Sequence, residues 1–295
     1  MKSLIATLAV VSLALTLNAA PKKLLVVTTT AGFRHSSIPT LEKVLAQLGK
    51  DSGSFTVDFV QQPPGRQEKG APPKLKTDAT PEEKAEFEKA ETAWKESLKV
   101  ELQKLSPENL KNYDGVVFAS TSGELPIPDP QGLLDWIKEG HAFIGIHAAS
   151  DTFHRWPEFI EMLGGEFKGH GPQVGVECIN KNPKHPANAQ LSDTWTITQE
   201  EIYEFKNYDA AKVEDLLILD RHPQNKSPGH FPVSWCKPYG KGRVFYTSLG
   251  HREDIIDADP ELKDRKNSPE ISKAFQSHVL GGTEWALGLK PVQPE

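Results

Sequence analysis

Three histidines stand just past apolar, β-branched runs. His35 follows Lys23–Thr30, His147 closes Ala142–His147, and His251 follows Val244–Ser248. Residues placed in this way lie where an open α/β sheet binds its ligands, beyond the carboxyl ends of the strands. A neutral imidazole there serves as metal ligand, general base or hydrogen-bond partner. Gly145-Ile146-His147-Ala148-Ala149 adds a local device: strand, small residue, polar residue and two small residues follow the pattern of a nucleophile elbow, a tight turn that lifts the middle side chain above the sheet. Here that side chain is imidazole rather than thiol. Glutaminase chemistry is therefore excluded, since it needs a nucleophile that holds a persistent acyl group.

Other polar groups collect around these positions. Glu200-Glu201-Ile202-Tyr203-Glu204 groups carboxylates after a strand-like run, and Glu201 is a candidate metal ligand or acid–base group; a solvated acidic turn is the plain alternative. Ser120, Thr121, Ser122 and Glu124 follow the third apolar run. Gly164–Pro172 is glycine-rich but lacks a Gly-Lys-Ser/Thr ending, so it is a turn holding His170 beside a cleft rather than a phosphate loop. Asp151 and His154 fall at an expected helix start, where Ser150 or Asp151 would act as N-cap. Trp156 either stacks on a sugar face or packs in the core. The sequence contains no His-Glu-x-x-His, and Gly32 stands alone after the first run where a dinucleotide fingerprint would need three glycines.

The elements that must position these residues are legible from periodicity. Lys23–Thr30 reads as a buried strand of a parallel sheet, Ile38–Gly49 as a helix capped by Ser36 or Ser37 and ended by Gly49, and Phe55–Val60 as a second strand. Strands follow at Asn112–Ala119 and Ala142–His147, with a helix over Pro130–Gly140 between them. Further strands are expected near Val174–Ile179, Trp195–Thr198, Leu216–Leu219, Val233–Cys236 and Val244–Thr247, and a last helix over Ser268–Leu287. Residues 62–105 differ in kind. A Pro/Gly/Lys-rich stretch leads to Thr80-Pro81-Glu82-Glu83, a capping pattern opening a charged helix with Phe87, Ala90, Trp94 and Leu98 on one stripe. The segment reads as a helical insertion on the surface of one α/β domain over residues 22–290, whose open sheet is mostly parallel and flanked by helices.

Bulk properties narrow the partners. The 295 residues carry a formal net charge of −6, giving no electrostatic footprint for nucleic acid. Lys2, the apolar run Leu4–Leu17 and the small residues around Ala19 form a signal-peptide pattern over residues 1–19, so the chain is expected to be exported, to the periplasm or outside the cell, with no membrane segment left after cleavage. Cys178 and Cys236 are the only cysteines, and in an exported chain they either pair or remain free.

Several segments together resemble the ThuA-like (trehalose-utilisation) family: Val26–Pro39, Leu105–Ser120, Phe143–Pro172, Ile197–Phe205, Val233–Asp254 and His278–Gly288, with GIHAASDTFHRWPEF and KPYGKGRVFYTSLGH the most specific. The resemblance implies a flavodoxin-like or class I glutamine amidotransferase-like fold without the catalytic cysteine, and a link to disaccharide use through 3-keto-sugar intermediates. The positions matching its pattern are His35, His147, Asp151, His170, Glu201, Tyr203 and His251. The chain departs from that pattern at Glu200, where aspartate is common, and in the insertion over residues 62–105. The expectation that results is an exported enzyme, a lyase, isomerase or hydrolase of disaccharides or 3-keto-glycosides. In it His147, His35, His251 and Glu201 do the chemistry, Asp151, Trp156, His170 and Tyr203 bind substrate, and His35, His147 and His251 hold a divalent metal if one is used. A carbohydrate-binding protein without catalysis is the alternative.

Overall fold

Leu24 to Val27, the last four residues of the first strand (β1, Lys22–Val27), are all buried, as a strand covered by helices on both faces requires. The computed structural model describes residues 20–294, so the expected signal peptide over residues 1–19 lies outside the described residues. β1 pairs in parallel with β2 (Phe55–Val60) on one side and β3 (Gly115–Ala119) on the other. β3 pairs in parallel with β4 (Ala142–Ile146), and β4 with β11 (Gly242–Thr247). From β11 the sheet turns antiparallel through β10 (Pro228–Tyr239), β9 (Glu214–Arg221), β6 (Val174–Asn180) and β7 (Thr194–Glu200). The nine-stranded order is β2-β1-β3-β4-β11-β10-β9-β6-β7. Alternation of direction after β11 makes β7 run the same way as β4, so both strands end at the same rim.

Side-chain alternation along the strands divides the core in two. Leu24, Val26, Ile144 and Ile146 pack with Leu41 and Leu45 of α1 (Ile38–Ser52) and with Phe275 and Val279 of α7 (Pro269–Ala286). On the other face Leu25, Val27, Phe118 and Phe143 meet α4 (Pro130–Lys138), α5 (Pro157–Leu163) and the C-terminal half of α2 (Pro81–Leu102). Two one-turn helices, α3 (Pro107–Leu110) and α6 (Glu253–Ile256), complete the set.

The insertion helix opens as its sequence predicts, with a reciprocal capping box between Thr80 and Glu83. Its buried residues are Trp94, Leu98 and Leu102, whereas Ala90 is exposed, so the apolar stripe packs only toward the C-terminal end. Arg66 from the preceding loop pairs with Glu91 and lies 3.9 Å above the Trp94 ring, fastening that loop to the helix.

The structure corrects four local expectations. Gly49 does not end α1; the helix runs on to Ser52 and stops at Gly53, which takes the left-handed conformation. Gly49 is there for close approach, because a Cβ on it would stand 2.6 Å from the Phe55 carbonyl oxygen. Ser37 precedes α1 without capping it and instead donates its hydroxyl to the Gly250 carbonyl. Neither Ser150 nor Asp151 caps a helix: both lie in a 3-10 turn over His147–Asp151, and α5 starts only after Trp156. Finally, Glu166–His170 (β5), within the stretch read as a turn, pairs antiparallel with Tyr203–Lys206 (β8), for which no strand was expected, as a separate two-stranded ribbon. Cys178 and Cys236 are free and buried. Among the described residues no helix is long and apolar enough to cross a membrane.

Candidate functional site

The elbow pattern at His147 produces a backbone that only a sharp turn requires. β4 stops at Ile146, and His147 takes φ +50°, a left-handed conformation seldom adopted by non-glycine residues. Gly145 is needed beneath it, since a Cβ there would press on the Tyr246 ring at 2.8 Å. The His147 side chain is fully buried, and its Nδ1–H donates to the Ser248 carbonyl at 2.7 Å. A carbonyl only accepts, so the proton sits on Nδ1 and Nε2 presents a lone pair. That lone pair faces the Tyr203 hydroxyl at 3.0 Å and Glu201 Oε2 at 3.7 Å.

Two further imidazoles close around this nitrogen. His35, from the loop after β1, has its ring 4.6 Å from that of His147 and 5.3 Å from that of His251. It is buried, and its Nδ1 has no hydrogen-bond partner. Burial, then the charge of neighbouring His251, pushes the His35 pKa down to about 4. Burial likewise holds His147 well below its ordinary value, with His35 and His251 adding to the effect. His251, just past β11, sets its Nδ1 3.2 Å from Glu201 Oε2, yet without the angle of a hydrogen bond. Burial opposes charge on both of these groups, but their attraction prevails and moves the His251 pKa up and the Glu201 pKa down.

Glu201 arrives from the far edge of the sheet, one residue beyond β7. Its neighbour Glu200 anchors it: the buried Glu200 Oε1 accepts the backbone N–H groups of Glu201 and His251, each at 3.0 Å. Burial pushes the Glu200 carboxyl up to about 8, so near neutrality it is largely the neutral acid.

His35, His147, Glu201 and His251 each offer one ligand atom, and these four atoms lie within 4.8 Å of one another. Bonds of about 2.0–2.2 Å to a shared ion put donors roughly 3–4 Å apart, so the set needs little movement to close on one. The orphaned Nδ1 of His35 and the badly angled approach of His251 to Glu201 are what ligand atoms aimed at a common centre look like. Three imidazoles and one carboxylate suit zinc or a neighbouring first-row ion better than calcium or magnesium, which prefer oxygen.

A cavity of about 280 Å³ opens onto this cluster, lined also by Phe33, Asp151, Phe167, His170 and Tyr203. His170 brings its Nδ1 3.1 Å from Glu201 Oε1 at the open side. Depressions of about 500 and 570 Å³ lie elsewhere, beside Thr196–Thr198 and beside His154, but neither gathers unpaired histidines. The structure thus brings seven of the eight sequence-selected residues to one place. Trp156 is the eighth: it stacks on Phe159 with ring centroids 5.5 Å apart, meets Phe153 edge-on, and does not line this cavity. Ser122 and Thr121 pin loops, bonding to the Phe33 carbonyl and to Thr152. The aromatic walls, Phe33 and Phe167, were missed, because aromatic residues in sequence default to the core; only the position of Phe33, two residues before His35, hints at its place.

Comparison with known proteins follows this geometry. The family profile described as ThuA, trehalose utilisation, matches residues 73–286. A ThuA-like protein from Parabacteroides merdae is similar at 20% identity, with 93% of each chain covered and a TM-score of 0.63. Another from Bacteroides uniformis is similar at 20% identity, covering 91% of this chain and 92% of its own, with a TM-score of 0.55. These likenesses speak to the fold. Among curated proteins there is no match.

Proposed function

The chain belongs to the ThuA, trehalose-utilisation family, and from that premise we propose that it is an exported enzyme acting on a keto-sugar at a divalent metal held by His35, His147, Glu201 and His251. The observation that carries this reading is the convergence of four ligand atoms within 4.8 Å at the strand-end rim, with two of the imidazoles kept neutral by burial. A bound ion would supply Lewis-acid polarisation of a sugar carbonyl or hydroxyl. The rest falls to the chain itself. The Ser248 carbonyl fixes the His147 tautomer and ring orientation, as outer partners of ligating histidines do. Phe33 and Phe167 offer apolar faces to a sugar ring, and His170 and Tyr203 offer polar edges.

The cavity size favours one enclosed ring, with the second sugar of a disaccharide at the mouth beside Phe33, which is 46% exposed. A ketone acidifies the neighbouring C–H, so a positioned base and an electrophile suffice for isomerisation, elimination or hydration. Export rests on the leader pattern of residues 1–19.

The experiment is direct. The protein lacking residues 1–19 is purified, its metal content measured, and it is incubated with a panel of 3-keto-glycosides followed by NMR. About one divalent ion per chain and conversion of at least one keto-sugar are expected, both lost in His147→Ala. Tight sugar binding without conversion would instead favour a carbohydrate-binding protein, and absence of both would refute the assignment.

A further inference from the structure

The four-residue cluster occupies Glu201 in holding charge together, which leaves the proton-transfer group of the cavity to be found. Asp151 lines the same cavity, and it is not alone. Its Oδ1 accepts from His154 Nε2 at 2.8 Å, and His154 Nδ1 donates to Glu166 Oε1 at 2.7 Å. Both ring nitrogens thus face carboxylates, an arrangement that an imidazolium satisfies at both ends. Glu166 is buried at the start of β5 and is itself secured by Lys206 Nζ at 2.9 Å and Asn207 Nδ2 at 2.7 Å. A carboxylate in a cavity, a histidine behind it and a buried acid behind the histidine form a chain from the site toward the surface, where the His154 side chain is 35% exposed.

We propose that Asp151 is the general base of the keto-sugar reaction, with His154 and Glu166 as positioning residues that hold its carboxylate ionised and aimed into the cavity. This rests on the function proposed above. In the step, the C–H beside the ketone breaks and its proton forms an O–H bond on Asp151. The C–H electron pair becomes the C=C bond of an enolate, and the carbonyl π pair moves onto oxygen. Return of the proton to carbon regenerates the carboxylate.

The charges around the chain agree. Burial dominates and leaves the Asp151 pKa above its ordinary value, which suits a base, while His154 and nearby His170 limit the rise. Burial opposes charge on His154, but hydrogen bonds to Glu166 and Asp151 raise its pKa overall. Glu166, despite burial, is lowered by Lys206, His154 and Asn207. Loss of the imidazolium must therefore raise the Asp151 pKa, and the acidic limb of a base-dependent profile must move to higher pH.

The test follows deuterium wash-in beside the ketone of a methyl 3-keto-glucoside in D2O, with metal content recorded for every variant. Asp151→Asn should keep its metal and slow wash-in about 100-fold or more, the contribution typical of a general base. His154→Gln should move the acidic limb up by about one pH unit, with KM little changed. A readout independent of turnover is the His154 ring signal in metal-free protein: it should titrate above the ordinary histidine value, and fall toward it in Glu166→Gln. Asp151→Asn within threefold of wild type, an unmoved limb, or an ordinary His154 titration would each overturn the proposal while leaving the metal assignment standing. Wild-type protein that binds metal but shows no wash-in would overturn the enzymatic function and this base together.

Discussion

Acidification of the metal-free protein should expose the state of His35. Only 6% of this residue is exposed, and its ring nitrogen Nδ1 is unpartnered. In the folded chain it takes a proton only near pH 4, against 6.5 for the free side chain. Each unit of that separation is worth about 1.4 kcal/mol, so on account of this group the fold is about 3 kcal/mol more stable at neutral pH than below pH 4. The sign follows from where the proton goes. Below pH 6.5 the unfolded chain binds a proton that the folded chain refuses, so this stability is complete above 6.5 and is lost as pH falls toward 4. His278, buried and also pushed down to about 4, moves in the same direction, while His251 and His154, with raised values, move oppositely. A single substitution separates these effects. Urea unfolding of chelator-treated wild type and His35→Asn between pH 7.5 and 4.5 should show wild type losing about 2.5 kcal/mol more than the variant. Added divalent ion at a hundredfold excess over its Kd should raise stability by about 2.7 kcal/mol at pH 7 and progressively less on acidification. Equal pH slopes for the two metal-free proteins would refute the claim that His35 is a neutral, unpaired donor.

Three more outcomes are expected. Glu201→Gln, which keeps the shape of the side chain but not its charge, should reduce bound metal from about one per chain to well below half after dialysis, measured by elemental analysis. Phe33→Ala should weaken keto-sugar binding about fivefold while leaving metal content unchanged, measured by calorimetry, because an aromatic contact at a half-open mouth is worth about 1 kcal/mol. Gly49→Ala should destabilise the fold by about 1–3 kcal/mol in urea, since the new methyl meets the Phe55 carbonyl oxygen at 2.6 Å and outweighs the gain in helix propensity.

The inner strands of the parallel half were legible because β1, β3 and β4 are continuous apolar runs, and such runs need two covered faces, while the alternating β2 lies at the edge. The histidines at strand ends followed from the same signal, and the small residues flanking His147 announced its turn. The order of strands was not legible. β11 lies directly beside β4 although β5 to β10 come between them in the chain, a long-range pairing that no local pattern encodes. The β5–β8 ribbon escaped because Lys168, Gly169 and His170 carry neither apolar alternation nor β propensity; Phe167 packing on Tyr203 at 4.4 Å holds it together instead. The sequence reads Ser150 or Asp151 as an N-cap, whereas the partner of Asp151 is the side chain of His154, three residues on.

Glu201 and His35 come from strands separated by six others in the sheet, β7 at one extreme and β1 next to the other. The sheet must coil far enough for these two ends to meet over its rim. A metal gripping both would act as a clasp across the whole width of the molecule, tying the motions of its outermost strand to those of its centre. Loading and emptying the centre would then be felt along the strands that lie between β1 and β7, far from any residue that touches the ion.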